Sequence, residues 1–150
     1  MNQDEIFMLK ALEQAKLAWE KNNEVPIGAV IVRQNQIIAV GSNLSITNLD
    51  PTAHAEIIAI REAAKLLHNY RLVDVDLYVT LEPCAMCFGA IIQARIKRLV
   101  FGAMDPKFGV IGSVVNLGDY KWTHKFSYQG GVLKKDCALI LKEFFKNKRN

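Results

Sequence analysis

Residues 76–102 have the sequence DLYVTLEPCAMCFGAIIQARIKRLVFG, which predicts a strand, a helix and a second strand. The apolar run at 76–81 is typical of a strand, and Glu82-Pro83 ends it. Residues 84–94 are predicted to form a helix, and residues 97–102 the next strand. This succession favours an α/β sheet with helices on its faces.

The flanking sequence predicts further elements of the same kind. Residues 4–21 carry mostly apolar side chains at three- and four-residue steps, which predicts an amphipathic helix. Two strand-like runs, 25–32 and 36–40, are joined by a short polar turn and predict a hairpin. Asp50-Pro51-Thr52 is typical of a helix start, here for a helix that extends to about Leu67. The remaining predictions are a loop at 103–113, a short strand at 126–132 and an amphipathic helix at 136–148.

Length and composition limit the class of protein. The chain has 150 residues, of which 51% are hydrophobic, so it is long enough for one domain and too apolar for a disordered chain. Its longest apolar stretches, such as 25–32, fall short of the ~20 residues that span a bilayer. The acidic start, residues 1–5, is unlike the basic beginning of a signal peptide. We therefore expect a single domain over residues 1–150, a cytoplasmic location and no membrane partner.

Two short motifs, His54-Ala55-Glu56 and Pro83-Cys84-Ala85-Met86-Cys87, carry the candidate chemistry. Cys84 and Cys87 are three residues apart and share a helix face, and a helix start favours the thiolate that binds metal. If both helix starts border one sheet edge, His54 joins the two cysteines. Two thiolates and one imidazole suit zinc, and three protein ligands leave a fourth position for water, as in catalytic sites.

Other residues could close such a site and make it structural. The candidates are His68, His124 and Cys137, although none of them forms a second paired motif. Glu56 follows His54 by two residues, which an ideal helix would not place on one face, so its role depends on side-chain reach. A glutamate within reach of the water would serve as general acid and base. H-x-E with P-C-x-x-C is typical of zinc nucleobase deaminases, in which the glutamate is not a ligand.

The sequence resembles the bacterial tRNA-specific adenosine deaminase family over nearly its whole length. The matching motifs include Pro26-Ile27-Gly28-Ala29-Val30, Gly41-x-Asn43, Asp50-Pro51-Thr52-Ala53-His54-Ala55-Glu56-Ile57, Tyr70-Arg71-Leu72, residues 77–87, Phe101-Gly102-Ala103-x-Asp105, Gly112-Ser113 and Phe144-Phe145. The resemblance implies a three-layer α/β/α sandwich around a mixed five-stranded sheet, a homodimer and one zinc ion per chain. It also implies conversion of adenosine to inosine at the wobble position of an arginine tRNA anticodon.

The resemblance assigns roles to individual residues. The zinc ligands would be His54, Cys84 and Cys87, with Glu56 as the proton shuttle. Asn43 would contact the flipped nucleotide.

The same resemblance covers the loop that follows the strand at 97–102. Asp105 would lie near a neighbouring ribose. Met104 and Phe108 occupy loop positions that are often smaller or polar in relatives.

The C-terminal segment carries the charge of the chain. Residues 134–150 hold six basic and two acidic residues, and this surplus equals the net charge of +4 of the whole protein. The segment is either a solvated helix end, where cations suit the helix dipole, or an edge that binds phosphate. Two adjacent phenylalanines lie ~100° apart on a helix, so one could be buried and the other could stack on a base. The candidate RNA contacts are Phe144, Phe145, Lys148 and Arg149.

Three other functions remain open on the sequence. A zinc deaminase of free guanine or cytosine would share both motifs, but it has no need of the basic, aromatic C-terminal helix. A zinc-stabilised RNA-binding module would have no use for Glu56. A thiol redox protein that uses Cys84 and Cys87 would leave His54 and Glu56 without a role.

Overall fold

A computed structural model describes the backbone of residues 1–149 and the side chains of residues 1–148. The elements, in chain order, are α1 Gln3–Asn22, β1 Gly28–Arg33, β2 Gln36–Ser42, α2 Ala55–Leu67, β3 Asp76–Leu81, α3 Ala85–Ala94, β4 Arg98–Ala103, a 3-10 turn Leu117–Asp119, β5 Ser127–Gln129 and α4 Lys134–Arg149. None of the described helices is long and apolar enough to cross a membrane.

The strands form one mixed sheet in the order β2-β1-β3-β4-β5. β1 is antiparallel to both β2 and β3, whereas β3, β4 and β5 are parallel to one another. It follows that β2, β3 and β4 all end at the same edge of the sheet. We call this the upper edge, and the edge where these three strands begin is the lower edge.

Helices cover both faces of the sheet, which makes the three-layer α/β/α sandwich that the sequence predicts. Successive strand residues point to opposite faces, so Leu77 and Leu99 pack against α2 and α3, whereas Tyr78 and Val100 pack against α1 and α4. The first core also includes Ala59, Ala63, Phe88, Ile91 and Ile96, and the second includes Phe7, Met8, Ala11 and Cys137.

Two glycines let helices lie close against the sheet near its upper edge. A Cβ atom on Gly28 would overlap the backbone of α1 at Ala11 and Ala15. A Cβ atom on Gly41 would overlap the backbone of α2 at Ala55 and Ala59. Gly41 therefore fixes the start of α2 against the end of β2.

The predicted start of α2 at Asp50-Pro51-Thr52 is wrong. The Oδ1 atom of Asp50 accepts hydrogen bonds from the Thr52 amide at 2.9 Å and the Thr52 hydroxyl at 2.7 Å, and this closes a non-helical turn. The helix begins at Ala55, and His54 is its N-cap with extended backbone angles of −74° and 157°. Cys84 is likewise the N-cap of α3, rather than part of its first turn.

Smaller differences concern element ends. β4 includes Ala103, which the sequence predicts to lie in the following loop. α4 begins at Lys134, two residues before its predicted start. β5 is limited to Ser127–Gln129. The two glycines that follow, Gly130 and Gly131, end it, and Gly131 has a φ of 88°, which a strand does not accommodate.

Candidate active site

Three candidate metal ligands meet at the upper edge of the sheet. His54 precedes α2, Cys84 precedes α3, and Cys87 lies in the first turn of α3. The Nδ1 atom of His54 is 3.6 Å from the sulfur of Cys84 and 3.5 Å from the sulfur of Cys87. Tetrahedral zinc bonds of ~2.3 Å to sulfur and ~2.0 Å to nitrogen require about this ligand separation, so the cluster fits zinc.

The ionisation of one of these ligands, Cys84, also suits a cation. The hydrogen bond from Cys87 lowers the pKa of the Cys84 thiol to about 4. The same hydrogen bond, followed by burial, raises the pKa of Cys87. The hydrogen bond with Cys84 raises the pKa of His54. One thiolate is therefore present near neutral pH, at a helix N-terminus where the backbone favours negative charge.

Within the described part of the chain, these three residues are the one group of His, Cys, Asp or Glu side chains placed to share a metal ion. Cys137 lies instead in the second core, against Gly102 on the opposite face of the sheet. The ring of His124 bonds the carbonyl of Ile96 at 2.7 Å near the lower edge. The alternatives that would close the site are thus placed elsewhere.

Glu56 shares one cavity with two of the three candidate ligands, His54 and Cys84. The cavity has a volume of about 340 Å³ and is lined by Ile27, His54, Glu56, Leu81, Glu82, Cys84, Asp105 and Phe108. Glu56 is only 4% exposed, and its burial raises the pKa of the carboxyl to about 7. A group with a pKa near neutrality can both accept and return a proton.

Asn43 lies on the loop between β2 and α2. Its side-chain oxygen accepts hydrogen bonds from the amide and hydroxyl of Ser45, and its side-chain nitrogen donates to the Val25 carbonyl at 3.5 Å. The side chain is buried and is not part of the cavity lining. Its predicted contact with the nucleotide stays a prediction.

A buried carboxylate that the sequence analysis missed anchors this same loop. Glu24 accepts hydrogen bonds from the Ile46 amide at 3.3 Å and from the Thr47 amide and hydroxyl, both at 2.7 Å. The carboxylate therefore holds the loop backbone against the end of α1.

Glu82 plays the corresponding part for the loop between β4 and the 3-10 turn. Its carboxylate accepts hydrogen bonds from the amides of Asp105 at 3.0 Å, Ile111 at 2.9 Å and Ser113 at 3.1 Å, and from the Ser113 hydroxyl. The sequence analysis used Glu82 only to end a strand. One sequence feature could have indicated this role: an acidic residue stands beside the metal motif, at the end of an apolar strand.

Asp105 and Phe108 form one wall of the cavity. The Oδ1 atom of Asp105 accepts hydrogen bonds from the amides of Lys107 at 3.1 Å and Phe108 at 3.2 Å. Asp105 thus shapes its own loop, and its predicted contact with a ribose stays a prediction. Phe108 is 67% exposed and places an aromatic ring at the rim.

The predicted RNA-contacting residues lie apart from the cavity, on α4. Phe144 is 4% exposed and packs edge-on against Trp19, with ring centroids 5.4 Å apart, whereas Phe145 is 47% exposed. Phe145 therefore offers the accessible ring of the pair. The ammonium of exposed Lys148 is 5.6 Å from the Phe144 ring centroid. The side chain of Arg149 lies outside the described residues.

Comparisons with known proteins agree with this geometry. Residues 1–103 match the family model of the cytidine and deoxycytidylate deaminase zinc-binding region. The chain is 53% identical to a tRNA-specific adenosine deaminase of Haemophilus influenzae over 148 residues, which are 97% of this chain and 85% of the relative. It is 46% identical to a tRNA-specific adenosine deaminase of Bacillus subtilis over 150 residues, 99% of this chain and 92% of the relative.

Solved structures give the same relationship. The fold matches a tRNA:A34 deaminase of A-to-I editing at the wobble position with a TM-score of 0.87 and 45% identity, over 91% of this chain and 99% of that one. It also matches a guanine deaminase from Nitrosomonas europaea with a TM-score of 0.83 and 25% identity, over 93% and 83% of the two chains. With its zinc-ligand cluster at the sheet edge, the chain belongs to the cytidine and deoxycytidylate deaminase zinc-binding family and, within it, to the tRNA-specific adenosine deaminases.

Proposed function

We propose that this protein converts adenosine to inosine at the wobble position of a tRNA anticodon, and that the substrate is an arginine tRNA. The observation that carries the reaction is a buried glutamate, Glu56, in one cavity with a cluster that fits zinc. The choice of a tRNA substrate is supported by relatives of that name at 46% and 53% identity over nearly the whole chain.

His54, Cys84 and Cys87 would hold one zinc ion per chain. A bound zinc ion supplies the Lewis acidity that makes water a nucleophile near neutral pH. The three ligands come from two helix starts, so the docking of α2 and α3 on the sheet orients them.

Glu56 moves the protons of the reaction. Deamination adds water to C6 of the adenine ring and expels ammonia, so a proton must travel from the water to the leaving amino group. The Glu56 carboxylate accepts that proton and returns it. Burial raises the pKa of this carboxyl above its usual value, which makes it a better proton acceptor.

The size of the cavity constrains the form of the substrate. A volume of about 340 Å³ lies at the lower end of the ~300–1,000 Å³ range of ligand pockets. It accommodates one nucleoside and not a stacked run of bases. The target nucleotide must therefore be turned out of its loop, which is easiest in a single-stranded anticodon loop.

The RNA outside the cavity would contact the basic end of α4. Exposed Phe145, Lys146 and Lys148 offer an aromatic ring and two cations on this helix. We further propose that the protein acts as a homodimer and works in the cytoplasm, where tRNA is used.

Free guanine or cytosine is the alternative substrate. Guanine deaminases of similar fold, from Nitrosomonas europaea and Bacillus subtilis, are 25% and 36% identical, below the 46% and 53% identity to the tRNA enzymes. The sequence relationship therefore favours the tRNA substrate over the free base.

Nucleoside mass spectrometry after incubation with synthetic stem-loops tests the proposal. Zinc-loaded protein should form inosine in an arginine anticodon stem-loop with adenosine at the wobble position. It should form none when that adenosine is moved one position along the loop, and the chelator-treated protein should be inactive. Activity on free guanine or cytosine, with none on the stem-loop, would establish the alternative. Equal activity on stem-loops of other tRNAs would contradict the arginine assignment.

A further inference from the structure

Phe108 is the aromatic residue of the cavity lining, and its ring is largely in water. The residue is 67% exposed at the rim, while the other side of the same cavity is formed by His54, Glu56 and Cys84. Because most of the ring is hydrated, it contributes little to the core. An apolar ring held at the mouth of a binding cavity is more useful as a contact surface.

The backbone that carries this ring is held from both sides. On one side, Asp105 accepts a hydrogen bond from the Phe108 amide at 3.2 Å, and the Asp105 amide itself donates to Glu82 at 3.0 Å. On the other side, Gly109 lies against the Glu82 carboxyl group, where a side-chain methyl would overlap it. The Val110 amide then donates to the Pro83 carbonyl at 3.0 Å.

This anchoring connects the rim to the metal motif. Glu82 and Pro83 directly precede the ligand Cys84 in sequence. The backbone of Phe108 is therefore held at a fixed position relative to the ligand cluster. A residue at the tip of a free loop would lose more conformational entropy when it binds. Pre-organisation of the backbone lowers that cost.

We propose that Phe108 is a stacking platform for the nucleobase next to the target adenosine in the RNA. The inference rests on the proposed function, because the cavity holds one nucleoside and its neighbours in the strand must lie at the rim. Turning the target out of the loop leaves the neighbouring base with an uncovered face. The phenylalanine ring would cover that face, and exposed Lys107, beside it in sequence, would offer a cation to the linking phosphate.

A platform of this kind provides affinity without reading the base. Every base has a π-face, so stacking on an aromatic ring tolerates sequence changes. We therefore expect the Phe108 ring to lower the dissociation constant of the stem-loop whether the neighbouring base is a purine or a pyrimidine.

Fluorescence of 2-aminopurine tests the contact. The label replaces the base on the 5′ or the 3′ side of the target adenosine in the stem-loop, and the zinc-loaded protein carries Glu56→Gln so that no turnover occurs. Binding should quench the label at one of the two positions. Adding Phe108→Leu should abolish this protein-dependent quenching and raise Kd about tenfold, which corresponds to about 1.4 kcal/mol of lost stacking. Phe108→Tyr should retain both.

Tyr70→Leu is the matched control, because Tyr70 is 68% exposed and lies after α2, near the lower edge. It should change neither quenching nor Kd. Equal quenching and affinity in the Phe108 and Phe108→Leu proteins would overturn the proposal, and so would failure of the labelled RNA to bind.

The same stem-loop, unlabelled, is given to the protein with intact Glu56. Binding and Phe108-dependent quenching without inosine would contradict the proposed reaction and leave the platform supported. Inosine formation without Phe108-dependent quenching would contradict the platform alone.

Discussion

The two edges of the sheet both remove ionisable side chains from water, but they treat the charge differently. At the lower edge, Arg98 donates to both carboxylate oxygens of Asp4, at 2.9 and 2.6 Å, and Tyr78 adds a hydroxyl donor at 2.7 Å. At the upper edge, Glu56 is buried without an arginine or lysine in the cavity lining, and its burial raises its pKa to about 7.

The lower edge thus holds a hydrogen-bonded ion pair that stabilises the fold, whereas the upper edge holds a carboxyl group that can gain or lose a proton. Compensation at the lower edge lowers the pKa of Asp4, because the hydrogen bond from Arg98 favours the charged form. Incomplete compensation at the upper edge leaves Glu56 free to change its protonation state. Three single substitutions test this contrast, beginning with the largest expected effect, and a double substitution on α4 has the smallest.

His54→Ala removes one of three ligands at the upper edge. The protein should lose most of its zinc and all measurable deamination, because the remaining two thiolates form an incomplete site. Metal binding is coupled to folding, so the zinc-dependent rise in melting temperature should disappear as well. His68→Asn is the control, since His68 caps α2 at its other end with a φ of 51°, a conformation that asparagine tolerates. Full zinc content in His54→Ala would remove His54 from the ligand set.

Glu56→Gln keeps the shape of the buried side chain and removes its proton chemistry. Loss of a general acid and base typically costs ~10²–10⁴-fold in rate. Zinc content should remain at one ion per chain. Glu62→Gln, on the exposed side of the same helix, should retain activity. Parallel loss of zinc in Glu56→Gln would instead identify Glu56 as a ligand.

Arg98→Met leaves the lower-edge carboxylate of Asp4 without its main partner. We expect the free energy of unfolding at pH 7 to fall by about 1–3 kcal/mol, measured by urea denaturation, because the two side chains are only partly exposed. The stem-loop reaction should continue in the folded variant. Arg61→Met is the control, since Arg61 is mostly exposed and lies 3.7 Å from Asp50, where an ion pair screened by water contributes little to stability.

The same pair predicts a pH dependence. The folded-state pKa of Asp4 is lower than its unfolded value, so the stabilisation is complete above the unfolded pKa of ~3.9. It is lost as the pH falls from there through the folded pKa. The difference in stability between the native protein and Arg98→Met should therefore be constant above about pH 5 and shrink below pH 4. A difference that is independent of pH would show that packing, rather than charge, is lost.

The smallest effect is expected at the end of α4. Lys146→Ala combined with Lys148→Ala should weaken stem-loop binding and reduce its log–log salt slope by about 1.4, if each lysine contacts one phosphate. Lys134→Ala combined with Lys135→Ala removes the same charge from the start of the helix and is the control. Equal slopes in the two double variants would mean that overall charge, rather than a local contact, attracts the RNA.

The ligand cluster was predictable because its geometry follows from local rules. Cys84 and Cys87 are three residues apart at a helix start, and the end of an α/β strand is where a helix start meets the sheet edge. The exact helix start was not predictable. A motif such as Asp50-Pro51-Thr52 suits both a helical first turn and a closed loop turn, and the close approach of Gly41 to Ala55 and Ala59 is a tertiary contact that the motif does not reveal.

Glu24 and Glu82 could not be assigned from the sequence because their partners are far away in the chain. The amides that bind Glu24 follow it by 22 and 23 residues, and those that bind Glu82 follow it by 23 to 31. No spacing rule covers such distances. The burial of Phe144 rather than Phe145 also depends on the packing of α4 against Trp19, which a periodicity argument leaves undecided.

Glu82 anchors the loop that carries Phe108, between β4 and the 3-10 turn, and this anchoring has a consequence for sequence divergence. Three of the four donors to Glu82 are backbone amides, at Asp105, Ile111 and Ser113, and every residue type except proline supplies such a donor. Apart from Gly109, where a Cβ atom would overlap the Glu82 carboxyl group, the tip between these anchors can therefore change its side chains while the path of the loop is retained. Evolution can revise what the rim touches, as with Phe108, without rebuilding the wall that carries it.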